Sequence, residues 1–404
     1  MSENTMTPYL IQNPPLPKNF ADTFLQIDYG KGCYLYDKGG KEYLDFGSGI
    51  AVNALGYGRE DLAEAAYNQM KKLIHVSNVY TTEPTVQLAE TLTAAGNFAA
   101  VHFGSSGTEA NEAALKYARL YGKKMKGDNA IGLISFSSGF HGRTMGALSV
   151  TATEKYKTPF GPLIPGCTIL PYNDPDALKS FSDAADTAAI IVEVVQGEGG
   201  LVSLSTEMIE TLNKFCAENN VILIADEVQT GLGRTGSLFA SAACGLNADI
   251  ITLAKPLAAG LPLSATLIPA KVNDLLSPGD HGTTFGGGPV TCQVALKVLK
   301  HINNKDFLDS VRIKGQFLSS LLQKTMKEEN LKGSVLGKGL MVGLQLDSLT
   351  AEKIPAVMNE CRENGLLLLR SGKAVLRIVP PLVISEKELQ DGVKILFKSI
   401  KEML

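Results

Sequence analysis

Two apolar runs in this chain end in charged residues, and a third segment leads small residues into a helix. Val221-Ile222-Leu223-Ile224-Ala225 is followed by Asp226 and Glu227, and Asp249-Ile250-Ile251-Thr252-Leu253-Ala254 by a lone Lys255. Sites in parallel α/β sheets form at the carboxyl ends of strands, so both charged ends fall where ligands bind. A carboxylate there can hold a protonated ring nitrogen; the alternative is an acidic loop or helix cap. A lysine at an apolar strand end is costly unless it is paired or covalently engaged. Desolvation lowers the pKa of such an amine, as a Schiff-base nucleophile requires; the alternative is a side chain that snorkels to water. Phe103-Gly104-Ser105-Ser106-Gly107-Thr108-Glu109 runs straight into a helical pattern. Such a start aims backbone N–H groups and the positive dipole end at one spot, which suits a phosphate, while Thr108 as a plain N-cap is the other reading. The segment lacks the Gly-Lys-Ser/Thr ending of a P-loop, so no nucleoside triphosphate is indicated.

An amine, a carboxylate and a phosphate-ready helix start on one sheet describe a site for pyridoxal 5′-phosphate: the lysine for its aldehyde, the aspartate for its ring nitrogen, the helix for its phosphate. One motif points elsewhere. Gly231-Leu232-Gly233-Arg234-Thr235-Gly236 fits G-x-G-x-x-G after a strand, with Asp249 downstream, as in a dinucleotide-dependent dehydrogenase. The acids Asp226 and Glu227 lie in the gap between that strand and Gly231, which weakens this rival.

The elements that must position these residues follow from periodicity. Helical patterns cover 61–73, 85–95, 109–121 and 206–219, the last with Thr206 as N-cap; β-rich runs cover 131–136, 189–195, 221–225 and 250–253. Their alternation predicts an α/β fold with a mostly parallel central sheet. Residues 34–46 alternate around Lys38-Gly39-Gly40 and read as a hairpin, and prolines 8, 14, 15 and 17 make the start an extended arm. From about Val290 the pattern shifts to two long helices, strands at 341–346 and 375–379, and a last helix from Ser385. The expected division is 1–59 as arm and hairpin, 60–289 as a large cofactor-binding domain, and 290–404 as a smaller α+β domain.

Composition narrows the partners. The 404 residues are 45% apolar and 20% charged, as in an ordinary folded protein. Thirty-eight basic against 41 acidic residues give a net charge of −3, so nothing favours nucleic acid. No run is long enough for a membrane helix, and residues 1–14 have no secretory apolar core. Six scattered cysteines without a Cys-x-x-Cys pair suit reduced thiols in a cytoplasm, with no metal site.

With these motifs together, residues 34–384 resemble the class III pyridoxal-phosphate aminotransferases of fold type I. The resemblance implies roles. Lys255 carries the cofactor aldehyde and later shuttles a proton. Asp226 pairs with the ring nitrogen, with Glu227 beside it; Val228 packs on the ring; Gln229 approaches the ring hydroxyl. Ser106, Gly107 and Thr108 match the phosphate cup. In Phe140-His141-Gly142-Arg143-Thr144, Phe140 is the stacking residue; His141 is either a satisfied buried histidine or a cofactor contact. The loop His281-Gly282-Thr283-Thr284-Phe285-Gly286-Gly287 implies a homodimer, with Thr284 reaching the neighbouring subunit's phosphate and Thr283 beside substrate. Arg143 and Arg377 suit the two carboxylates of 2-oxoglutarate. Glu198, in Gln196-Gly197-Glu198-Gly199-Gly200, matches the switch carboxylate that answers Arg377 when no α-carboxylate is bound. Ile50 stands where members acting on free ornithine carry a tyrosine, which favours a donor with an acylated α-nitrogen, or none. The implied donor is N-acetylornithine, with succinylornithine, 4-aminobutyrate and ornithine as alternatives. Pro256 and Gly288 depart from the family pattern and leave the local loops open.

Overall fold

A computed structural model describes residues 7–19 and 23–404. The chain divides into two compact units, Asp61–Ser310 and Met1–Glu60 with Val311–Leu404. Met1–Met6 of the expected arm lie outside the described residues.

The unit Asp61–Ser310 is built on a seven-stranded sheet. Its order is Ala100–Gly104, Ser264–Ile268, Ile250–Leu253, Ile222–Asp226, Thr187–Val192, Gly132–Phe136, Cys167–Leu170. The five strands from Ile250–Leu253 to Cys167–Leu170 are parallel. Ser264–Ile268 runs against both of its neighbours. Strands in the middle are buried along their whole length, as a sheet covered on both faces requires. The helix Gly107–Lys126 supplies one cover. Its small buried residues Ala113, Ala114 and Ala118 bring its axis close to Ala189, Ile191, Ile222, Ile224 and Ile250 in the core. Each such aliphatic side chain contributes about 1.5–3 kcal/mol by leaving water.

Helix starts differ from expectation by one or two residues. Ser205 rather than Thr206 caps Thr206–Asn219, its Oγ accepting from Met208 N at 3.2 Å. Ser106 rather than Thr108 caps Gly107–Lys126. In both cases the serine has extended backbone angles while the threonine is already helical, and only the former geometry lets a hydroxyl turn back onto the first turn.

The other unit contains the hairpin Tyr34–Asp37 and Glu42–Asp45, turned where Gly40 takes φ +87°. Glu42–Asp45 pairs in parallel with Leu366–Leu367. A second sheet orders Gly333–Lys338, Met341–Leu346, Val375–Ile378 and Leu369–Ser371. The helix Glu386–Met403 begins with a capping box between Ser385 and Glu388 and buries Leu389, Val393, Leu396, Phe397 and Ile400. In the arm, Leu10–Gln12 pairs with Thr23–Leu25. No helix among the described residues is long and apolar enough to cross a membrane.

Candidate active site

The carboxyl ends of the central strands gather most of the expected residues of the Asp61–Ser310 unit. Asp226 closes Ile222–Asp226 in register with Thr252 on the neighbouring strand. Its Oδ2 accepts from Asn111 Nδ2 at 2.8 Å and faces His141 Nδ1 at 2.8 Å; its Oδ1 accepts from Val228 N at 3.1 Å. Asn111 is itself fixed, since Thr252 Oγ1 donates to its Oδ1 at 2.8 Å and its Nδ2 also reaches the His141 carbonyl at 2.7 Å. Asp226, His141 and Asn111 are all buried, so every polar atom in this knot needs its partner.

Lys255 lies three residues beyond Thr252, at the start of a short 3₁₀ turn, Lys255–Ala258. Its φ of +22° is a backbone strain for a non-glycine residue, of the kind found where function over-determines geometry. Pro256 takes an early position in that turn, where a missing N–H costs nothing, so this departure from the family pattern is absorbed locally.

The helix start at Ser106 is drawn tight. Glu109 Oε2 accepts from Ser105 N at 2.7 Å, and the N–H groups of Gly107 and Thr108 have no acceptor within the helix. A Cβ on Gly107 would come within 2.6 Å of Val228 Cγ1, so only glycine lets this turn lie against the residue after Asp226 and Glu227. Thr108 Oγ1 meets Thr144 Oγ1 at 2.8 Å. Phe140 stands on the Ser137–Phe140 side, half-buried, with the Arg143 guanidinium 5.6 Å from its ring centroid and 3.4 Å from that of Tyr156. Arg143 is exposed there. Glu198 sits in a bend that includes Gly197, where a Cβ would strike the Gln229 amide.

Glu227 has its own set of partners. Strand alternation sends it away from Asp226, and its carboxylate accepts from Ala240 N at 2.6 Å, Ser241 N at 2.8 Å and Ser241 Oγ. Burial raises its pKa and these hydrogen bonds oppose the rise. Its oxygens serve the start of the helix Ala240–Cys244.

Thr283 and Thr284 are placed with a different group. Asn78 Nδ2 donates to the Thr283 carbonyl at 2.8 Å, and Thr85 Oγ1 to the Gly287 carbonyl at 2.7 Å. A cavity of about 150 Å³ there is lined by Ser77, Thr82, Thr85, Thr284 and Gly287 among others. Arg377 and Ile50 belong to the other unit. Arg377 is buried in Val375–Ile378, opposite Gly343 and Leu369. Ile50 is 45% exposed in a bend with φ +64°, and Ser48 Oγ ties that bend to the Val379 carbonyl at 2.6 Å, two residues after Arg377. The Gly231–Gly236 segment forms a closed turn, with Leu232 N bonded to the Leu238 carbonyl and Gly233 N to that of Ser237.

The family model described as "Aminotransferase class-III" matches residues 16–400. The chain belongs to the class III aminotransferases. The mitochondrial acetylornithine aminotransferase of Alnus glutinosa is 44% identical over 385 residues, covering 94% of this chain and 84% of that protein. Among solved structures, the ornithine aminotransferase of Toxoplasma gondii superimposes with a TM-score of 0.89 at 31% identity, over 96% of this chain and 93% of that one. A PLP-bound amine transaminase from an uncultivated Pseudomonas species gives 0.90 at 30% identity, over 97% and 98%.

The residues of this aminotransferase fit pyridoxal phosphate on their own chemistry. A cradle that a single Cβ on Gly107 would fill lies between a helix start and Val228, and a buried carboxylate with three hydrogen-bonding partners stands one strand away from the lysine turn. Two buried groups escaped the sequence reading. Asn111 carries an amide on the face of Gly107–Lys126 that also presents Ala114 and Ala118; a polar residue at helical spacing on a buried alanine face was the available signal. Glu193 breaks the apolar run 188–195, an acid in a buried stretch. Its Oε1 accepts from Phe140 N at 3.0 Å and its Oε2 from Gly197 N at 2.8 Å. Burial pushes it up to about 7; His141 opposes the rise and Asp226 adds to it. Among the described residues no cluster of His, Cys, Asp or Glu could hold a metal ion, and all six cysteines are free.

Proposed function

We propose that this aminotransferase, with pyridoxal 5′-phosphate, moves the δ-amino group of N-acetylornithine to 2-oxoglutarate. The products are N-acetylglutamate semialdehyde and glutamate, a step of arginine biosynthesis in the cytoplasm. One observation carries the donor: in the unit that bears the buried Arg377, the bend tied to the end of its strand presents Ile50, an apolar side chain with nothing to offer a free α-amine. The 44% identity to an enzyme named for acetylornithine supports the same reading.

The cofactor, when bound, supplies an electron sink for the carbon that bears the transferred nitrogen. Asp226, held by Asn111 and His141, would keep the ring nitrogen protonated. The N–H groups of Gly107 and Thr108, with the Ser106 and Thr108 hydroxyls, would hold the phosphate. Phe140 and Val228 would enclose the ring, and Gln229 would meet its hydroxyl. Lys255 Nζ would take the aldehyde and then carry the proton between the two carbons that exchange it. Arg377 and Arg143 would bind substrate carboxylates, and Glu198 would stand in for the missing one when an ω-amine is bound. The active form would be a homodimer, with Thr284 serving the neighbouring phosphate and Thr283 the substrate. Exposed Val79, Tyr80 and Phe285 beside the hydroxyl-lined cavity favour a second copy covering this edge.

The test is the absorbance spectrum of the purified protein with added pyridoxal phosphate. A visible band that disappears on adding N-acetylornithine and returns with 2-oxoglutarate is expected. A band indifferent to N-acetylornithine but bleached by 4-aminobutyrate or ornithine would move the donor. The absence of a visible band would overturn the cofactor assignment.

A further inference from the structure

We propose that Glu193 is a positioning residue that straps the ring-stacking side of the site to the loop bearing Glu198, and so sets how well the enzyme tells an ω-amine from glutamate. The proposal rests on the aminotransferase reading above and adds a residue to it.

The geometry is that of a two-handed clasp. Glu193 follows directly on the strand Thr187–Val192, and its two carboxylate oxygens accept from two backbone N–H groups on different segments: Phe140, which would stack on the ring, and Gly197, which precedes Glu198. The same two segments are joined a second time. Gln196 Nε2 donates to the Ser137 carbonyl at 2.7 Å, and a Cβ on Gly199 would come within 2.8 Å of the Ser138 carbonyl. Tyr172 Oη anchors the clasp from below, donating to the Glu193 carbonyl at 2.9 Å. Burying a charge is expensive at 6% exposure, so the carboxylate needs both backbone donors. Only a carboxylate presents two equivalent acceptors on one planar group, and that shape is what fixes the spacing between the two segments. Glu198 would answer differently to a donor with no α-carboxylate and to glutamate, so the register of its loop bears on one half-reaction more than on the other.

The charge of the clasp is itself conditional. Glu193 is pushed up to about 7 by burial, with His141 opposing and Asp226 adding to the rise; Tyr172 is a further titratable neighbour. Above that pH both oxygens accept; below it one carries a proton and accepts less well.

The experiment compares the two half-reactions of the holoenzyme, N-acetylornithine bleaching the visible band and glutamate bleaching it, in wild type and in Glu193→Gln. Glutamine can accept from only one of the two N–H groups and turns an NH₂ toward the other. We expect kcat/KM for N-acetylornithine to fall about tenfold or more, as losing a charge-assisted hydrogen bond implies, with glutamate changing less than about threefold. The ratio of the two should also vary with pH across neutrality in wild type and be flat in the variant. Gln196→Met, which cuts the second strap and leaves the buried charge, should shift the ratio the same way by a smaller factor, and serves if Glu193→Gln does not fold. Equal losses in both half-reactions, or an unchanged ratio, in whichever variant folds would reduce Glu193 to scaffold and overturn the proposal. If wild type itself forms no visible band, the aminotransferase cofactor reading fails instead, and the two failures are distinct.

Discussion

At the scale of single residues, the knot around Asp226 decides how the candidate site works. Asn111 contributes one donor to Asp226 Oδ2, and Thr252 fixes which end of the Asn111 amide faces it. Asn111→Ala removes that donor from a buried carboxylate, an interaction of roughly 1.5–3 kcal/mol, so kcat/KM should drop on the order of 10- to 100-fold. Thr252→Val keeps the shape and only frees the amide to turn, and a loss of about three- to tenfold is expected, with KM for the amine little changed. Steady-state kinetics with both substrates measure these, and a urea midpoint beside each separates site damage from unfolding. Lys255→Ala should abolish both the visible band and transamination; a variant that kept full turnover would remove Lys255 from its proposed role.

At the scale of elements, the sequence was most legible where burial is most complete. The run 250–253 matches the strand Ile250–Leu253, and the runs 131–136 and 221–225 differ from their strands by a residue at one or both ends. Ala100–Gly104 and Cys167–Leu170 went unread because they are the two edges of the sheet, only partly buried, and interrupted by His102 and Thr168. Ser264–Ile268 is buried throughout but short and rich in hydroxyls, and its reversed direction breaks the strand–helix alternation that located the others. Glu227 follows Asp226 directly, yet pleating sends neighbouring side chains to opposite faces, and its carboxylate is engaged at the start of Ala240–Cys244. Its role in the element can be measured. Glu227→Gln leaves one of the Ala240 and Ser241 donors facing an NH₂ group, and a loss of about 1–3 kcal/mol in stability is expected by urea titration. Gly107→Ala should be worse for cofactor affinity than for folding, since the methyl presses on Val228 at the helix start; titration with pyridoxal phosphate followed in the visible range checks this.

For the whole molecule, pH acts on the Asp61–Ser310 unit through groups whose effects oppose. His102 is held down to about 4, first by burial and then by the charges of His281 and Lys116, with Glu109 opposing; its ring also meets Tyr117 Oη at 3.0 Å. A base whose folded pKa is depressed binds fewer protons folded than unfolded, so its share of stability falls as pH drops from the ordinary histidine value of about 6.5 toward 4. By pH 5 the loss is about 2 kcal/mol. Glu193, raised by burial, acts with the opposite sign and lowers stability as pH rises toward 7. The two partly cancel in any single melting curve, so the difference between His102→Gln and wild type is the quantity to follow. The variant should gain on wild type as pH is lowered from 7 to 5, and a constant offset would mean that His102 titrates normally.

The sheet order also governs when the molecule can be finished. The strand Ala100–Gly104, which delivers the Ser106 turn, has Ser264–Ile268 as its sheet partner, and the hairpin strand Glu42–Asp45 gains Leu366–Leu367 on its outer side. A ribosome therefore emits the Ser106 turn long before the strand that will hold it, and the hairpin waits through most of translation for its last neighbour. Large proteins with such long-range pairings expose unpaired strand edges in the meantime. On a nascent chain those edges are the surfaces open to mispairing, and a pause in synthesis before Ser264 would leave the first of them bare.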